Sequence, residues 1–392
     1  MAPPGDLVCV IRPMVHRASP QLSSVALLLA LVAVISAARP CRAEEIRLDA
    51  LNIPAVVSGT GGTQSVNLEA IVLRPDDGQP HPLAVINHGS PRLASDRPRM
   101  SPYGLWAQAR AFARRGWVAV AFLRRGYGAS EGAWAENYGS CSNPDYAVAG
   151  RAGATDIAAV AKFMTGEPYV SKGKWISVGI SAGGFATVAL TADAPPGLAA
   201  AISFAPGRGS SSADTVCGEK QLVSAFAEYG KTSRVPLLWV SAENDHFFGP
   251  RLVSQLTSAF SDAGGKVTFV ETPAFGDDGH QLFGVASGIP VWSPIVDHFL
   301  MSNNLVLRDR LIDVPVPDVP APSGLSARGR ETFKTYLESG PNKAFAVAGD
   351  GRAGWATGRR SSDEAEKAAL GFCESGTGAK CAIVNVNNKP MN

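Results

Sequence analysis

Two pentapeptides of the form G-x-S-x-G occur in the chain, GASEG at residues 128–132 and GISAG at residues 179–183. The chemistry this pattern serves is nucleophilic attack by a serine held on a sharp strand-to-helix turn. With 41 glycines in 392 residues, chance alone supplies about 0.4 copies of it, so the neighbouring sequence must separate the two. WISVGI before Ser181 is a buried-strand run, and AGGFATVALTADA can begin a helix directly after it. Gly179 and Gly183 let the backbone approach itself closely there. GASEG leads instead into AWAENYGSCSNP, dense in polar and turn residues. Ser181 is the expected nucleophile and Ser130 a loop residue.

A serine hydroxyl needs a base to take its proton. Beyond residue 43 the chain holds His81, His88, His246, His280 and His298. His81 lies between two prolines and His298 within a helical pattern, which suits structural or solvated roles. His246 directly follows the candidate acid. His280, in GDDGHQLF on a glycine-flanked loop past the last strand, is the expected base. Asp245, closing VPLLWVSAEND, is the expected carboxylate that holds its tautomer; the other reading of Asp245 is a cap for the turn that follows. Glu243 is the substitute, and Asp277 and Asp278 stand too near His280 along the chain to come first. Negative charge developing on a substrate oxygen calls for two fixed N–H donors. These are expected from Ala182, just after the nucleophile, and from Ser90, in the NHGS that follows the first buried strand. His88 and Gly89 then shape that loop, as Gly179 and Gly183 shape the turn around Ser181.

Such a constellation needs a scaffold that brings strand ends to one edge. IRLDALNIPAVV and SVNLEAIVLRP alternate like an antiparallel hairpin around GTGGTQ. LAVINHG, WVAVAFL, WISVGI and LAAAISFAPG are continuous apolar runs, as strands covered on both faces are, and VPLLWVSAEND and KVTFVETP complete the set. Helical patterns lie between them. In SPYGLWAQARAFARRG, Ser101 caps, Pro102 takes the first helical position and Gly116 follows the last turn. ATDIAAVAKFM, FATVALTADA, PRLVSQLTSAFSDAG and SPIVDHFLM supply further helices. Strands alternating with helices predict an α/β fold with a mostly parallel sheet.

Hydrophobic residues make up 45% and charged residues 18% of the chain, the balance of a folded protein with a sizeable core. Arg12, His16 and Arg17 precede the apolar run SSVALLLALVAVISAA at residues 23–38, and small Ala43 follows; this order predicts a secretory signal peptide over residues 1–43. Without it, 32 basic and 33 acidic side chains remain, so no charge excess argues for nucleic acid or an anionic membrane surface. No membrane span is expected after cleavage, and the expected location is secreted or periplasmic. Cys141, Cys217, Cys373 and Cys381 then suit two disulfides. Cys373 and Cys381, eight positions apart in one small module, are paired first, which leaves Cys141 with Cys217. No C-x-x-C pair supports zinc, and neither a metal nor a cofactor is expected.

DVPVPDVPAPSG, with four prolines, predicts a semi-rigid linker over residues 313–324 between a domain spanning 44–312 and a small module spanning 325–392. In the module KAFAVAGDGRAGWATG reads as a hairpin turning at Asp350-Gly351, SSDEAEKAALGFC as a helix capped by Ser362, and CAIVNVN as a last strand. Nothing in it points to a partner.

Over about residues 46–301 these features resemble the α/β-hydrolase superfamily, and within it the dienelactone hydrolase-like proteins. The likeness includes the chain order Ser181, Asp245, His280. RRGYGASEG resembles the R-G-x-G-x-S-x-G segment common after the fourth strand there, which accounts for the second pentapeptide. The namesake dienelactone hydrolases carry cysteine where this chain has Ser181; a serine there resembles the secreted esterases, lipases and acyl-peptide hydrolases. The resemblance implies an α/β-hydrolase sheet with helices on both faces and a serine hydrolase acting on a small-molecule ester or amide, esters first. An acyl-peptide or peptidase-type hydrolase is the second reading, and a non-catalytic binding protein on this fold the third.

Overall fold

The computed structural model describes residues 45–59, 62–305 and 308–391, which belong to one compact unit. The expected signal peptide lies outside the described residues. The alternating segments form β1 (Ile46–Gly59) and β2 (Gly62–Pro75), an antiparallel pair in which Ile46 faces Pro75. The continuous apolar runs form β3 (His81–Asn87), β4 (Val118–Phe122), β5 (Val170–Ile180) and β6 (Leu198–Phe204). A short ribbon follows, β7 (Ser210–Ser212) with β8 (Thr215–Val216), and then β9 (Leu237–Ala242) and β10 (Val267–Thr272). The eight long strands make one sheet in the order β1-β2-β4-β3-β5-β6-β9-β10. It is parallel from β4 to β10, with the first hairpin antiparallel at its edge.

Six helices cover this sheet: α1 (Trp106–Arg114), α2 (Tyr146–Met164), α3 (Ala182–Ala192), α4 (Glu219–Gly230), α5 (Pro250–Asp262) and α6 (Ile289–Ser302). Because neighbouring strand residues point to opposite faces, two cores result. Val85, Val120 and Trp239 pack with Ile157, Phe185, Phe226 and Leu256 of α2, α3, α4 and α5. Ile86, Ala121 and Val178 pack with Phe112 of α1 and with Trp292 and Val296 of α6. Burying each such side chain contributes about 1.5–3 kcal/mol.

Three details depart from expectation. Pro102–Leu105 is a tight 3-10 turn that leads into α1, with Ser101 Oγ accepting from Tyr103 N. The helix expected from ATDIAAVAKFM, at Ala154, starts earlier, at Tyr146 with Asp145 as its cap, and α4, which was not among the expected helices, buries Leu222, Ala225, Phe226 and Tyr229 along one stripe. The serine and glycine content before residue 219 conceals that stripe in the sequence.

The C-terminal segment builds its own antiparallel sheet and two helices: α7 (Ala327–Glu338), β11 (Ala344–Ala348), β12 (Ala353–Ala356), α8 (Ser362–Thr377), β13 (Cys381–Val386) and β14 (Lys389–Pro390), with strand order β12-β11-β13-β14. The α8 cap is Ser361, one residue before the expected Ser362, because Ser361 Oγ is the group that accepts from Glu364 N. Residues 313–322 adopt no regular structure. One disulfide joins Cys141 to Cys217 and another joins Cys373 to Cys381. Among the described residues no helix is long and apolar enough to cross a membrane.

Candidate active site

β5 ends at Ile180 and α3 begins at Ala182, so the whole change of direction falls on Ser181. Its backbone stands at φ 56° and ψ −123°, a conformation that costs a side-chain-bearing residue about 1–3 kcal/mol and persists only where surroundings enforce it. Here Ser181 N donates to Phe204 O at 2.9 Å, and Ser181 O accepts from Phe185 N at 2.8 Å. The turn is tight enough that a Cβ on Gly179 would lie 2.3 Å from Gly183 O, and one on Gly183 would lie 2.3 Å from His88 O. Both glycines are required by close approach.

Across the carboxyl edge of the sheet, Asp245 follows β9 and His280 sits on a 3-10 turn after β10. His280 Nδ1 lies 3.0 Å from Asp245 Oδ2 and 3.2 Å from Oδ1, and both side chains are buried. The Nδ1–H therefore donates to the carboxylate, which leaves Nε2 as the accepting nitrogen. Asp245 Oδ1 also accepts from Phe247 N at 2.7 Å and Phe248 N at 2.9 Å, so one carboxylate both caps this turn and contacts the imidazole. Asp278 Oδ1 accepts from His280 N and from His246 N, each at 3.0 Å, and fixes the turn. The Phe247 ring stacks on the imidazole with centroids 3.9 Å apart, and the Arg92 guanidinium stacks on Phe247 at 3.7 Å. No hydrogen bond joins Ser181 Oγ to His280.

Ser181, Ala182 and Ser90 line one cleft of about 260 Å³, together with Phe247, Phe248 and Arg208. The N–H groups of Ser90 and Ala182 have no acceptor among the described residues. Beneath them His88 Nδ1–H donates to Gly89 O at 2.5 Å, and its Nε2 accepts from Arg124 N at 3.1 Å. Burial, reinforced by the Arg124 charge, pushes the His88 pKa down to about 3. An imidazole that stays neutral with both nitrogens engaged holds the loop. A Cβ on Gly89 would lie 3.1 Å from that of Ser181.

The remaining candidates lie elsewhere or do other work. Ser130 Oγ donates to Leu123 O at 2.6 Å and accepts from Glu69 N at 2.9 Å, pinning its loop to β2. His81 pairs with Asp77 and exposed His246 with Asp214. Glu243 accepts from Ala274 N. Among the described residues no group of three or more His, Cys, Asp or Glu could hold a metal ion.

The sequence reading missed a buried ionic cluster behind the cleft. Glu136 contacts both Arg124 and Arg208. Tyr127 Oη lies 3.0 Å from Glu136 Oε2 and from Ser90 Oγ, and accepts from Trp134 Nε1. Burial alone would raise the Glu136 pKa, but Arg124 and then Arg208 outweigh it and hold the carboxyl well below its usual range. Arg208, in APGRGSS just past β6, carried one legible signal: a glycine-flanked arginine at the same sheet edge as Ser181.

Residues 62–233 match the family model for X-Pro dipeptidyl-peptidases of the S15 family. Among curated proteins no match is found. Among solved structures the chain is similar to the Pyrococcus furiosus esterase Pf2001, at 14% identity over 65% of this chain and 93% of that one, with a TM-score of 0.45. A putative dienelactone hydrolase from Klebsiella pneumoniae subsp. pneumoniae gives 15% identity over 65% and 98% of the two chains, TM-score 0.43. The Thermogutta terrifontis esterase 2 gives 18% over 68% and 96%, TM-score 0.44. Likenesses this distant carry no functional argument, whereas the match over residues 62–233, less than half of the chain, supports a serine hydrolase.

Proposed function

We propose that the protein cleaves carboxylic esters through an acyl-enzyme on Ser181. In the first half-reaction Ser181 Oγ attacks the ester carbonyl carbon and its proton passes to His280 Nε2. Asp245 holds the imidazole in the required tautomer and stabilises the imidazolium. The oxygen that becomes negative meets the free N–H groups of Ala182 and Ser90. The carbonyl carbon then releases the alcohol, which takes the proton from His280, and water repeats the sequence in reverse to free the acid. The step requires the Ser181 hydroxyl to come within reach of Nε2 when substrate binds, a contact that apo hydrolases often leave unmade.

The observation that carries this reading is the enforced backbone of Ser181, with φ 56° at a strand-to-helix turn and two unengaged N–H donors beside it. Labelling with a fluorophosphonate probe tests it. Wild type should label and Ser181→Ala should not; equal labelling of both overturns the assignment.

The match to a peptidase family over residues 62–233 favours an amide-cleaving second reading, which aminoacyl anilides set against aryl esters would separate. Two disulfides suit an oxidising compartment, and we read residues 1–43 as an export signal. Residues 44–312 are the catalytic domain in this reading, 313–324 its linker and 325–392 an accessory module.

A further inference from the structure

The cleft beside Ser181 is lined by Arg92, Arg97 and Arg208 and by no carboxylate. Glu136, among the described residues the one acid in contact with these arginines, stands behind Arg208 and is shared with Arg124. One negative charge thus faces two buried guanidinium groups, and the local balance is positive. Arg208 spends only its Nη2 on the protein, toward Glu136 and Tyr127 Oη. Its Nε and Nη1 have no acceptor among the described residues, yet neither is sealed from the cleft. Arg97 differs: it stacks on Trp134 at 3.8 Å, and its Nη1 is buried without an acceptor. Buried donors left without acceptors are costly. A carboxylate is a small anion that accepts charge-assisted hydrogen bonds from single guanidinium N–H groups. Arg208 also sits close to the reacting group, since its chain neighbour Gly207 donates its N–H to Ser181 O at 3.3 Å.

We propose that the cleft selects esters carrying a second, anionic group, a carboxylate received by the unengaged Nε–H or Nη1–H of Arg208, with Arg97 and Arg92 flanking it. A half-ester of a short dicarboxylic acid has this form. Its cleavage follows the steps given above: the acyl carbon bonds to Ser181 Oγ, the alcohol leaves with the proton, and water releases the dicarboxylate. The proposal rests on the reading of Ser181 as nucleophile. Arg208 is in it a specificity-determining residue, and Glu136 positions Arg208.

The test compares two esters of 4-methylumbelliferone with equal acyl length, the succinate half-ester and the butanoate, after subtraction of uncatalysed hydrolysis. Wild type should favour the succinate half-ester in kcat/KM by about tenfold or more, and added NaCl should reduce that preference. Arg208→Gln should bring the ratio to about one, and Arg208→Lys should restore part of it. Arg97→Gln leaves the Glu136 cluster in place and should lower the ratio even if the Arg208 variants fail to fold. A wild-type ratio of one or less, a preference for an acyl chain ending in an ammonium group, or an unchanged ratio in folded Arg208→Gln overturns the proposal. Ser181→Ala separates the two readings. If both esters are hydrolysed in a Ser181-dependent way without preference, the anion site alone falls; if hydrolysis survives in Ser181→Ala, the nucleophile assignment falls as well.

Discussion

A serine at φ 56° is tolerable only if its neighbours have no side chains to collide, and that constraint made Gly179 and Gly183 readable before any coordinates. Gly183→Ala should therefore be severe: a methyl group 2.3 Å from His88 O forces the turn open, with an expected loss of at least tenfold in kcat/KM and a lower Tm. A variant with wild-type kinetics contradicts the tight turn. His88 gives a prediction in pH. Below about pH 6.5 the unfolded chain protonates this histidine while the folded one, with its pKa near 3, does not. The unfolded state then binds more protons, so the stability His88 contributes is present above about pH 6.5 and is lost as the pH falls toward 3. Glu136, held below its usual range, acts in the same direction at the acid end. Urea midpoints at pH 7 and pH 4.5 should differ less in His88→Gln than in wild type, and equal differences would contradict a neutral buried imidazole. Arg208 and Glu136 were not legible as a pair, because 72 positions separate them and no local pattern announces a contact across loops.

Most of the sheet was readable at the scale of elements, because strands covered on both faces must be apolar throughout and the edge hairpin must alternate. Helix α4 was not, since its stripe follows a polar, serine-rich approach. That region matters for the disulfide between Cys141 and Cys217, which spans 76 positions and ties the segment bearing Asn137, Tyr138 and Gly139, all lining the cleft, to the start of α4. By chain entropy it contributes about 4.5 kcal/mol. Cys141→Ser with Cys217→Ser should lower Tm and raise KM for the preferred ester more than it changes kcat, because the tethered segment touches substrate rim and not the reacting atoms. A change confined to kcat would contradict that role.

At the scale of the whole molecule, Arg360 is one of the residues through which the C-terminal segment contacts the large sheet's unit. Its Nε lies 2.8 Å from Glu69 Oε1, and Nη2 contacts Glu69 Oε2 and Met100 O. Glu69 Oε2 accepts Ala129 N, and Arg97 O accepts Gly128 N. One arginine thus fastens the module to the loop after β4 and to the segment that carries Arg97. Arg360→Ala should cost about 1–3 kcal/mol, seen as a lower urea midpoint, and should speed proteolytic cleavage within residues 313–324. Unchanged stability and cleavage would mean that the contact holds nothing. The lack of regular structure over residues 313–322 was legible because proline cannot enter either kind of regular element freely; the pairing of Arg360 with Glu69 was not, because 291 positions separate them.

The nucleophile is the claim on which the other assignments depend. The most direct measurement is to quench the protein with an aryl ester at acid pH and locate the acyl group by peptide mass spectrometry. An acyl group on Ser181, absent in Ser181→Ala and scarcely formed in His280→Ala, is the expected result. An adduct on Ser130 or any other residue, or turnover that survives the loss of Ser181, would contradict the account.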